Sequence, residues 1–475
     1  MKVDIVSGHA EGRSLRFVGH QCINFMPVSF PKEDTASTEL MLDVTPGLTV
    51  LSDTIGRGPV QGMCRVHDKK YCIIADNVCQ LSDASEITFI GTITSFNRAR
   101  IIMIPGGNDY ILICAGVYGY VLNVATNALT KITDIDFPGA EGGIYQDGYW
   151  LIIREGTLYY SQLQDPFSWS GTDVLQASHK PSNIKAIGSL QEEIYLIGEQ
   201  TIEVFYNDGT TPFVRRTFST LAYGIASADT LAHVDNSLIF LSRSFDGTIR
   251  VVQVLSSQMY ILSTDAISWE LSKASSLDGS FAIAYAERGH TIYAVTVPNL
   301  NKTYVIDLAS KQWHVRQSYY VDNSDGIPIL EAWRANCFLY TGSDIFIGDR
   351  KLGKIYKLDF DVLTEDSSVV ERIFETKTFS QEARYITLSS IELDCETGLG
   401  GGLPKPQLAL QASRDGGKTW SAEKWRHIGA IGEYQQQVIW HGLGRARDWK
   451  FKFLYSGTTP IKIGALVAHG STSSA

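Results

Sequence analysis

The run Ser413-Arg414-Asp415-Gly416-Gly417-Lys418-Thr419-Trp420 fits the string S-x-D-x-G-x-T-W, and its residue types and spacing are specific enough to carry an assignment. The chemistry they imply is structural. Asp415 can accept hydrogen bonds within the turn, Gly417 can adopt a positive φ, and Trp420 can pack on the hairpin, with Ser413 and Thr419 completing the motif. Other constellations carry less. Cys64, Cys72 and Cys79 are spaced 8 and 7 apart, unlike the C-x₂₋₄-C of zinc sites, so packing in a core is expected. The 10 histidines are dispersed, with no H-x-x-x-H pair, and Trp313-His314 reads as a packed strand end. The glycines from Gly398 to Gly402 precede Pro404 and no Gly-Lys-Ser/Thr follows, which points to a hairpin loop and not to a phosphate cradle. There is no G-x-S-x-G nucleophile elbow. No catalytic residue, metal ligand or cofactor-binding residue is assigned. The basic, aromatic stretch from Trp440 to Lys450 could stack on nucleic acid or carbohydrate. The preferred reading is a hairpin with Trp449, Phe451 and Phe453 alternating into a core while Lys450 and Lys452 face out.

The elements that must hold these residues are strands. Apolar residues come in runs of 4 to 6 bounded by Gly, Asn and Asp, without helical periodicity over long windows. An apolar strand, a polar turn and a second apolar strand recur around Lys69, Gly107, Asp147, Glu192, Asn236, Gly289 and Asn336, with spacings of 38, 40, 45, 44, 53 and 47. A period of ~40 to 50 residues with about four strands each is that of a propeller blade, because one such sheet buries both faces only by stacking on neighbours. The expectation is an all-β chain: a β-propeller of six to seven blades over residues 59–375, then a β-sandwich-like domain over 376–475. A large array of sandwiches is the alternative architecture. The grammar changes near residue 375, where strands lengthen and turns become Gly-rich. Residues 1–58 lack the blade pattern and read as an arm or docking segment.

Charge divides the chain at the same place. Its 475 residues carry 41 Lys+Arg and 51 Asp+Glu, a net charge of -10, which argues against a nucleic-acid grip built on clustered bases. Residues 376–475 hold 12 basic and 8 acidic side chains, net +4, leaving 29 against 43, net -14, for residues 1–375. Charged residues make up only 19% of the chain, as expected where neighbours cover part of the surface. The longest near-apolar run, Tyr110 to Leu122, is shorter than the ~20 residues a spanning helix needs, so no membrane insertion is expected. Met1 to Ala10 shows no secretory h-region, and the seven scattered cysteines read as reduced thiols of a chain assembled in a cytosol.

The Ser413–Trp420 string resembles the Asp-box of sialidase-type propellers. A sialidase would also bring several such boxes, an arginine cluster and a tyrosine nucleophile, so a glycan-binding or sialidase-like propeller is the alternative reading; a monomeric peptide-binding scaffold is a third. A broader resemblance runs from about residue 20 to 470. Its pieces are Gln21 to Val28, Thr45-Pro46-Gly47-Leu48, Gln61-Gly62-Met63, Thr201 to Gly209, Leu262-Ser263-Thr264, Lys311 to His314, Ser413 to Trp420, Gly429 to Tyr434 and Leu443 to Asp448. In this order they resemble the packaged-DNA stabilisation (head completion) proteins, the tail hubs of short-tailed bacteriophages. The resemblance implies a structural virion protein of the tail, assembled in the host cytoplasm, with no catalytic residue and no cofactor. It further implies a homo-oligomeric ring, six-membered in the related tails, below the portal and its adaptor. Such a ring extends the DNA channel, retains the packaged genome, and anchors the tail needle and the tail spikes or fibres. An acidic lumen fits, because cationic contacts to phosphate would have to break as DNA slides past.

Overall fold

The structure is a computed structural model. It describes residues 2–3, 8–14, 18–31, 38–52, 58–95, 100–175, 183–209, 212–216, 220–256, 258–321, 326–381, 384–400 and 405–473. The chain is a β-propeller joined to a β-sandwich. The expected recurrence corresponds to blades. Val60–Val66 opens the first and Ile102–Pro105 the second, Gly142–Gln146 the third and Ile184–Leu190 the fourth. Gly224–Ile225 and Ala232–Val234 share the inner position of the fifth; Phe281–Glu287 opens the sixth and Ala335–Tyr340 the seventh. Inner strands lie beside those of the next blade, the fourth meeting the fifth through Ser237–Arg243 and Ala228–Thr230, and Ala335–Tyr340 returns to Val60–Val66, closing the ring at seven.

The turn residues explain the regularity. Asp147-Gly148, Asp235-Asn236 and Arg288-Gly289 all have positive φ, the backbone of the two-residue turn that matches strand twist. Six of the seven sequence landmarks fall at or beside the hairpin that joins a blade's first two core strands; the seventh, Asn336, lies within the inner strand, its turn following at 341–344. Seven apolar clusters fill the spaces between successive blades. Tyr71, Ile111 and Leu122 lie between the first and second, and Leu151, Leu196 and Phe205 between the third and fourth. Trp313 and Val251 lie between sixth and fifth, and Val60 and Phe346 between first and seventh. Each sheet therefore buries both faces, which no blade could do alone.

Residues 1–58 are expected as an arm or docking segment; the described strands among them are shared between the two folded units. Gly47–Ser52 is the outer strand of the seventh blade, antiparallel to Ile355–Asp359, so this segment supplies that blade's fourth strand. Gly47 is required there: a Cβ would stand 2.4 Å from the carbonyl oxygens of both Thr364 and Val362. Phe25–Pro31 and Thr38–Val44 form a hairpin in one sandwich sheet, beside Ile463–Ser473, Tyr385–Cys395 and Val438–Ala446. Between them, Cys22–Ile23 pairs with Gln312–Val321 of the sixth blade on one side and with Arg372–Glu375 of the other sandwich sheet on the other. One ten-stranded sheet thus runs from the sixth blade through residues 22–23 into the sandwich. The sandwich core is apolar and aromatic: Ile391, Trp440 and Leu466 meet Leu408, Phe451, Phe453 and Tyr455, with Phe374 stacked on Phe453 at 4.5 Å. Among the described residues, no helix is long and apolar enough to cross a membrane.

Candidate functional site: the propeller–sandwich seam and its surroundings

The residues singled out by sequence lie at the end of Gln407–Ser413. Asp415 organises its turn with both oxygens. Oδ1 accepts from Ser413 Oγ at 2.7 Å and from the amides of Lys418 and Thr419 at 2.9 Å, while Oδ2 accepts from Thr419 Oγ1 at 2.6 Å. Burial acts to raise its pKa, but these donors outweigh it and hold the carboxyl well below the usual range. Gly417, at φ 97°, donates its amide to Ser413 Oγ at 2.8 Å. Trp420 is half-buried and lies over two ammonium groups, Lys452 at 4.7 Å and Lys450 at 5.6 Å from the ring centroid. A substrate would have to compete with the turn for Asp415.

The stretch from Trp440 to Lys450 does not present its aromatic rings. Trp440, Trp449, Phe451 and Phe453 are fully buried, with the Trp449 indole donating to the Ile386 carbonyl at 3.1 Å. The alternation holds, with Lys450 and Lys452 on the face opposite Trp449, Phe451 and Phe453, but that face is covered, so Lys450 is buried instead of exposed. Its ammonium meets Glu375 Oε2 at 2.6 Å in a buried pair, and Lys452 reaches the other oxygen at 3.0 Å. Glu375 and the Trp420 ring cover the side of the strand opposite the core, so both ammonium groups lie under side chains from other segments.

A buried polar constellation, which sequence reasoning missed, lies where the seventh blade, the sixth blade and the chain leaving the propeller meet. Glu365, 3% exposed, accepts from the Trp333 indole at 3.0 Å, Arg316 Nη2 at 3.2 Å and Ser318 Oγ at 2.5 Å. Arg316 stacks on Trp333 at 3.8 Å and donates to the Pro46 carbonyl at 2.8 Å. Arg334 donates to the Tyr356 hydroxyl and the Tyr319 carbonyl, both at 2.8 Å, while Tyr320 and Tyr356 each donate to Asp349 at 3.1 Å. Arg372 donates to the carbonyls of Leu363 at 2.9 Å and Val370 at 3.1 Å, and burial lowers its pKa to about 10. On the other side of the seam Asn24, at φ 55°, donates to the carbonyls of Gln317 at 3.1 Å and Glu371 at 2.8 Å, and accepts the Gln317 amide at 3.0 Å. Thr45 to Leu48 and Gln21 to Val28, two of the strings noted in the sequence, are thus parts of this joint.

A second cluster fixes His9 and Glu11 to the fifth and sixth blades. His9, Glu11 and Glu270 converge, a set of donors that could in principle hold a metal. The hydrogen bonds argue otherwise. His9 Nδ1 accepts the Cys22 amide at 3.2 Å, which leaves the proton on Nε2, 3.0 Å from Glu270 Oε1. Lys302 supplies the cation, at 3.1 Å from Glu11 and 3.2 Å from Glu270, and Tyr304 donates to Glu270 at 2.9 Å. Burial raises the Glu270 pKa, and the His9 and Lys302 contacts overcome it to bring the group down to about 2. Burial also holds His314 neutral, at about 3. None of the seven cysteines, all among the described residues, is in a disulfide; Cys395 is half-buried and the other six are buried.

Inner strands of blades two to five line a cavity of about 770 Å³, with Arg100, Gly143, Lys185, Gly188, Asp229 and His233 on its walls. Arg100, which leads into the second blade, donates to the carbonyls of Asp229 at 2.9 Å and Ala282 at 2.8 Å. It therefore bridges the propeller axis from the second blade to the fifth and sixth. Such a volume suits a small molecule, not a duplex.

The geometry agrees with comparisons to known proteins. The family described as bacteriophage P22 Gp10, beta-propeller, matches residues 1–363, and that described as bacteriophage P22 Gp10, beta-sandwich, matches residues 371–471. The tail hub protein gp10 of Salmonella phage P22 is 23% identical over 303 residues, 59% of this chain and 61% of that protein. The aligned part thus spans about three fifths of that relative's length. Likenesses to solved structures are remote. The N-terminal domain of Nup159 aligns over 75% of this chain and 98% of its own, at 10% identity and a TM-score of 0.41. The extracellular domain of BT4673 from B. thetaiotaomicron aligns over 84% and 48%, at 10% identity and 0.43. PorZ of Porphyromonas gingivalis aligns over 65% and 38%, at 10% and 0.40. Propeller and sandwich matched in order along nearly the whole length place the chain in the bacteriophage P22 Gp10 family.

Proposed function

We propose that this protein is a structural tail hub of a short-tailed phage virion, working by assembly and not by catalysis. The observation that carries the reading is the ordered match of both Gp10 domains, whose boundary coincides with the built seam. In this reading six copies form a ring below the portal and its adaptor, extend the DNA channel, retain the genome, and anchor needle and spikes or fibres; assembly takes place in the host cytoplasm. The propeller unit comprises residues 47–52 with 58–363, and the sandwich unit 25–44 with 371–473. The Ser413–Trp420 hairpin serves as a structural clip covering Lys450 and Lys452. DNA passes through the opening between copies, because Arg100 bridges the propeller's own axis. An acidic propeller surface keeps that passage low in friction.

Negative-stain imaging and native mass of the purified full chain test this. The expected result is a closed ring with a central opening and weak affinity for duplex DNA at physiological salt. A monomer at all concentrations that cleaves a fluorogenic sialoside overturns it, and submicromolar duplex binding at that salt overturns the sliding-wall element.

A further inference from the structure

The first blade carries two thiols that face each other. In the hairpin of Lys69–Ile74 and Asn77–Leu81, Cys72 and Cys79 are directly opposite in the antiparallel register. Residues so paired have Cα atoms about 4.5–5.5 Å apart, inside the about 4.4–6.8 Å that a disulfide spans. Both side chains leave the same face of the sheet and join one apolar cluster with Val60 and Phe346, where the seventh blade closes on the first. The Cys72 thiol donates to the Cys79 sulfur, which lowers the Cys79 pKa and raises that of Cys72. Cys79 is thereby the nucleophile of the pair. Two other thiols nearby are placed differently. Cys337, from the seventh blade, donates to the Val60 carbonyl at 3.5 Å, and Cys64 lies in the cluster on the opposite side of the first blade.

Burial sets the conditions for reaction. Both sulfurs are closed to solvent, so an oxidant reaches them only through local opening of the blade. A weak point adjoins Cys79, because the ladder to the outer strand Ile87–Thr92 shifts register between Val78 and Cys79. A link formed in this cluster is then shielded from the thiols that would reduce it.

We propose that Cys72 and Cys79 are an oxidation site: they close into a cross-strand disulfide when the folded protein meets a peroxide, and the link braces the hairpin on which the last blade docks. The Cys79 sulfur attacks one peroxide oxygen, the O–O bond breaks, and a sulfenic acid and one water form. The Cys72 sulfur then attacks the Cys79 sulfur, the S–O bond breaks, and the hydroxide leaves as a second water with the Cys72 proton. Two thiols lose two electrons and two protons, and one peroxide becomes two waters. The inference goes beyond the tail-hub reading, since it concerns a single copy and requires no ring.

The test uses the full chain, reduced and then freed of reductant, with hydrogen peroxide as the probe. No Lys or Arg lies between the two cysteines, so trypsin releases both in one peptide, residues 71–98, which holds no third cysteine. The treated chain is unfolded and alkylated before digestion. The expected peptide is two hydrogens lighter and takes no alkyl group until dithiothreitol is added, while the peptide carrying Cys337 is alkylated throughout. Protection against amide exchange in Lys69–Ile74 and Asn77–Leu81 rises about tenfold or more in the oxidised chain. Cys72→Ala and Cys79→Ala each abolish the link, and Cys337→Ala retains it. A wild-type peptide that stays fully alkylated, or that links only after unfolding in urea, overturns the proposal. A link from Cys72 to Cys337, or sulfinic acid at Cys79 without a link, overturns the pairing, and unchanged exchange overturns the brace. These deciding outcomes are read on wild type, so a variant that failed to fold would leave them intact.

Discussion

Replacing Glu365 tests whether the seam is held by its buried charges. Its side chain and those of Arg316 and Arg334 are 3–4% exposed, so the carboxylate is partnered away from water. Glu365→Ala removes the acceptor of the Trp333 indole, the Ser318 hydroxyl and Arg316 at once. Arg334 keeps Asp349 at 3.7 Å and Asp366 at 3.4 Å, but Arg316 retains only the Pro46 carbonyl and the Trp333 face among the partners described above. Removing one member of a buried pair costs about 3–5 kcal/mol, so about 4 kcal/mol is expected. Glu365→Gln is the sharper variant. One carbonyl oxygen still serves Trp333 and Arg316, while an amide NH₂ faces Ser318 and Arg334, two donors, and about 2 kcal/mol is expected. At 1.4 kcal/mol per tenfold, protection against amide exchange in Gln312–Val321 and Ala335–Tyr340 falls about 30-fold for Gln and about 1,000-fold for Ala. Exchange followed by mass spectrometry is the right assay, because a chain of two units need not unfold in one step. Protection in Glu365→Ala within tenfold of wild type, or equal loss in both variants, would refute the argument that charge and not shape holds this joint.

Other outcomes follow from single sites. Glu287 is buried, and burial, partly offset by Arg316, His290 and Arg288, raises its pKa from 4.5 to about 7. Its folded state therefore prefers the neutral acid: the stability it contributes is complete below pH 4.5 and is lost as pH rises through about 7, on the order of 3 kcal/mol in all. Glu287→Gln should flatten that dependence and be the more stable chain at pH 8, read from denaturation midpoints at pH 4.5 and 8. Trp420→Ala should cost about 1–2 kcal/mol, less than a core tryptophan, because the lost contacts are two cation–π stacks and the cover they give; a loss above 4 kcal/mol would show that the ring is a core element. Gly47→Ala forces the closing strand off two carbonyl oxygens and should destabilise by more than about 2 kcal/mol, with exchange increasing first in Gly47–Ser52 and Ile355–Asp359; uniform protection would refute closure by this strand.

What the sequence made legible were the features decided by neighbours in the chain. Turns such as Asp147-Gly148 carry their backbone preference in two adjacent residues, so blades could be counted without knowing their partners. The Asp415 hairpin is equally local, its donors all within four residues. Hidden features depend on distance along the chain. Nothing near residue 47 says that its strand pairs with residue 355, and His9 meets Glu270 across 261 positions. Lys450 reads as a surface rung of a β-strand because alternation knows nothing of Glu375 approaching from another strand. The Arg445–Tyr385 stack joins two neighbouring strands of one sandwich sheet that are 60 positions apart in the chain.

The seam shows why polar groups appear where apolar ones would pack more cheaply. Residues 22–23 form a strand of two residues between two sheets, and two rungs cannot define a register by apolar alternation, since a slip of one residue exchanges a single pair of faces. Directional groups can. Asn24 meets both neighbours of that strand with hydrogen bonds of fixed donor and acceptor sense, to Gln317 on the propeller side and Glu371 on the sandwich side. Glu365 ties the chain leaving the propeller to Arg316 of the same outer strand, and Arg316 ties Pro46 next to the closing strand. Ion pairs this deeply buried add little net stability over an apolar replacement, yet each misaligned register leaves a charge unpaired. The N-terminal segment can therefore cross from sandwich to blade in one register only, and propeller and sandwich are joined at a fixed register through a short continuous strand.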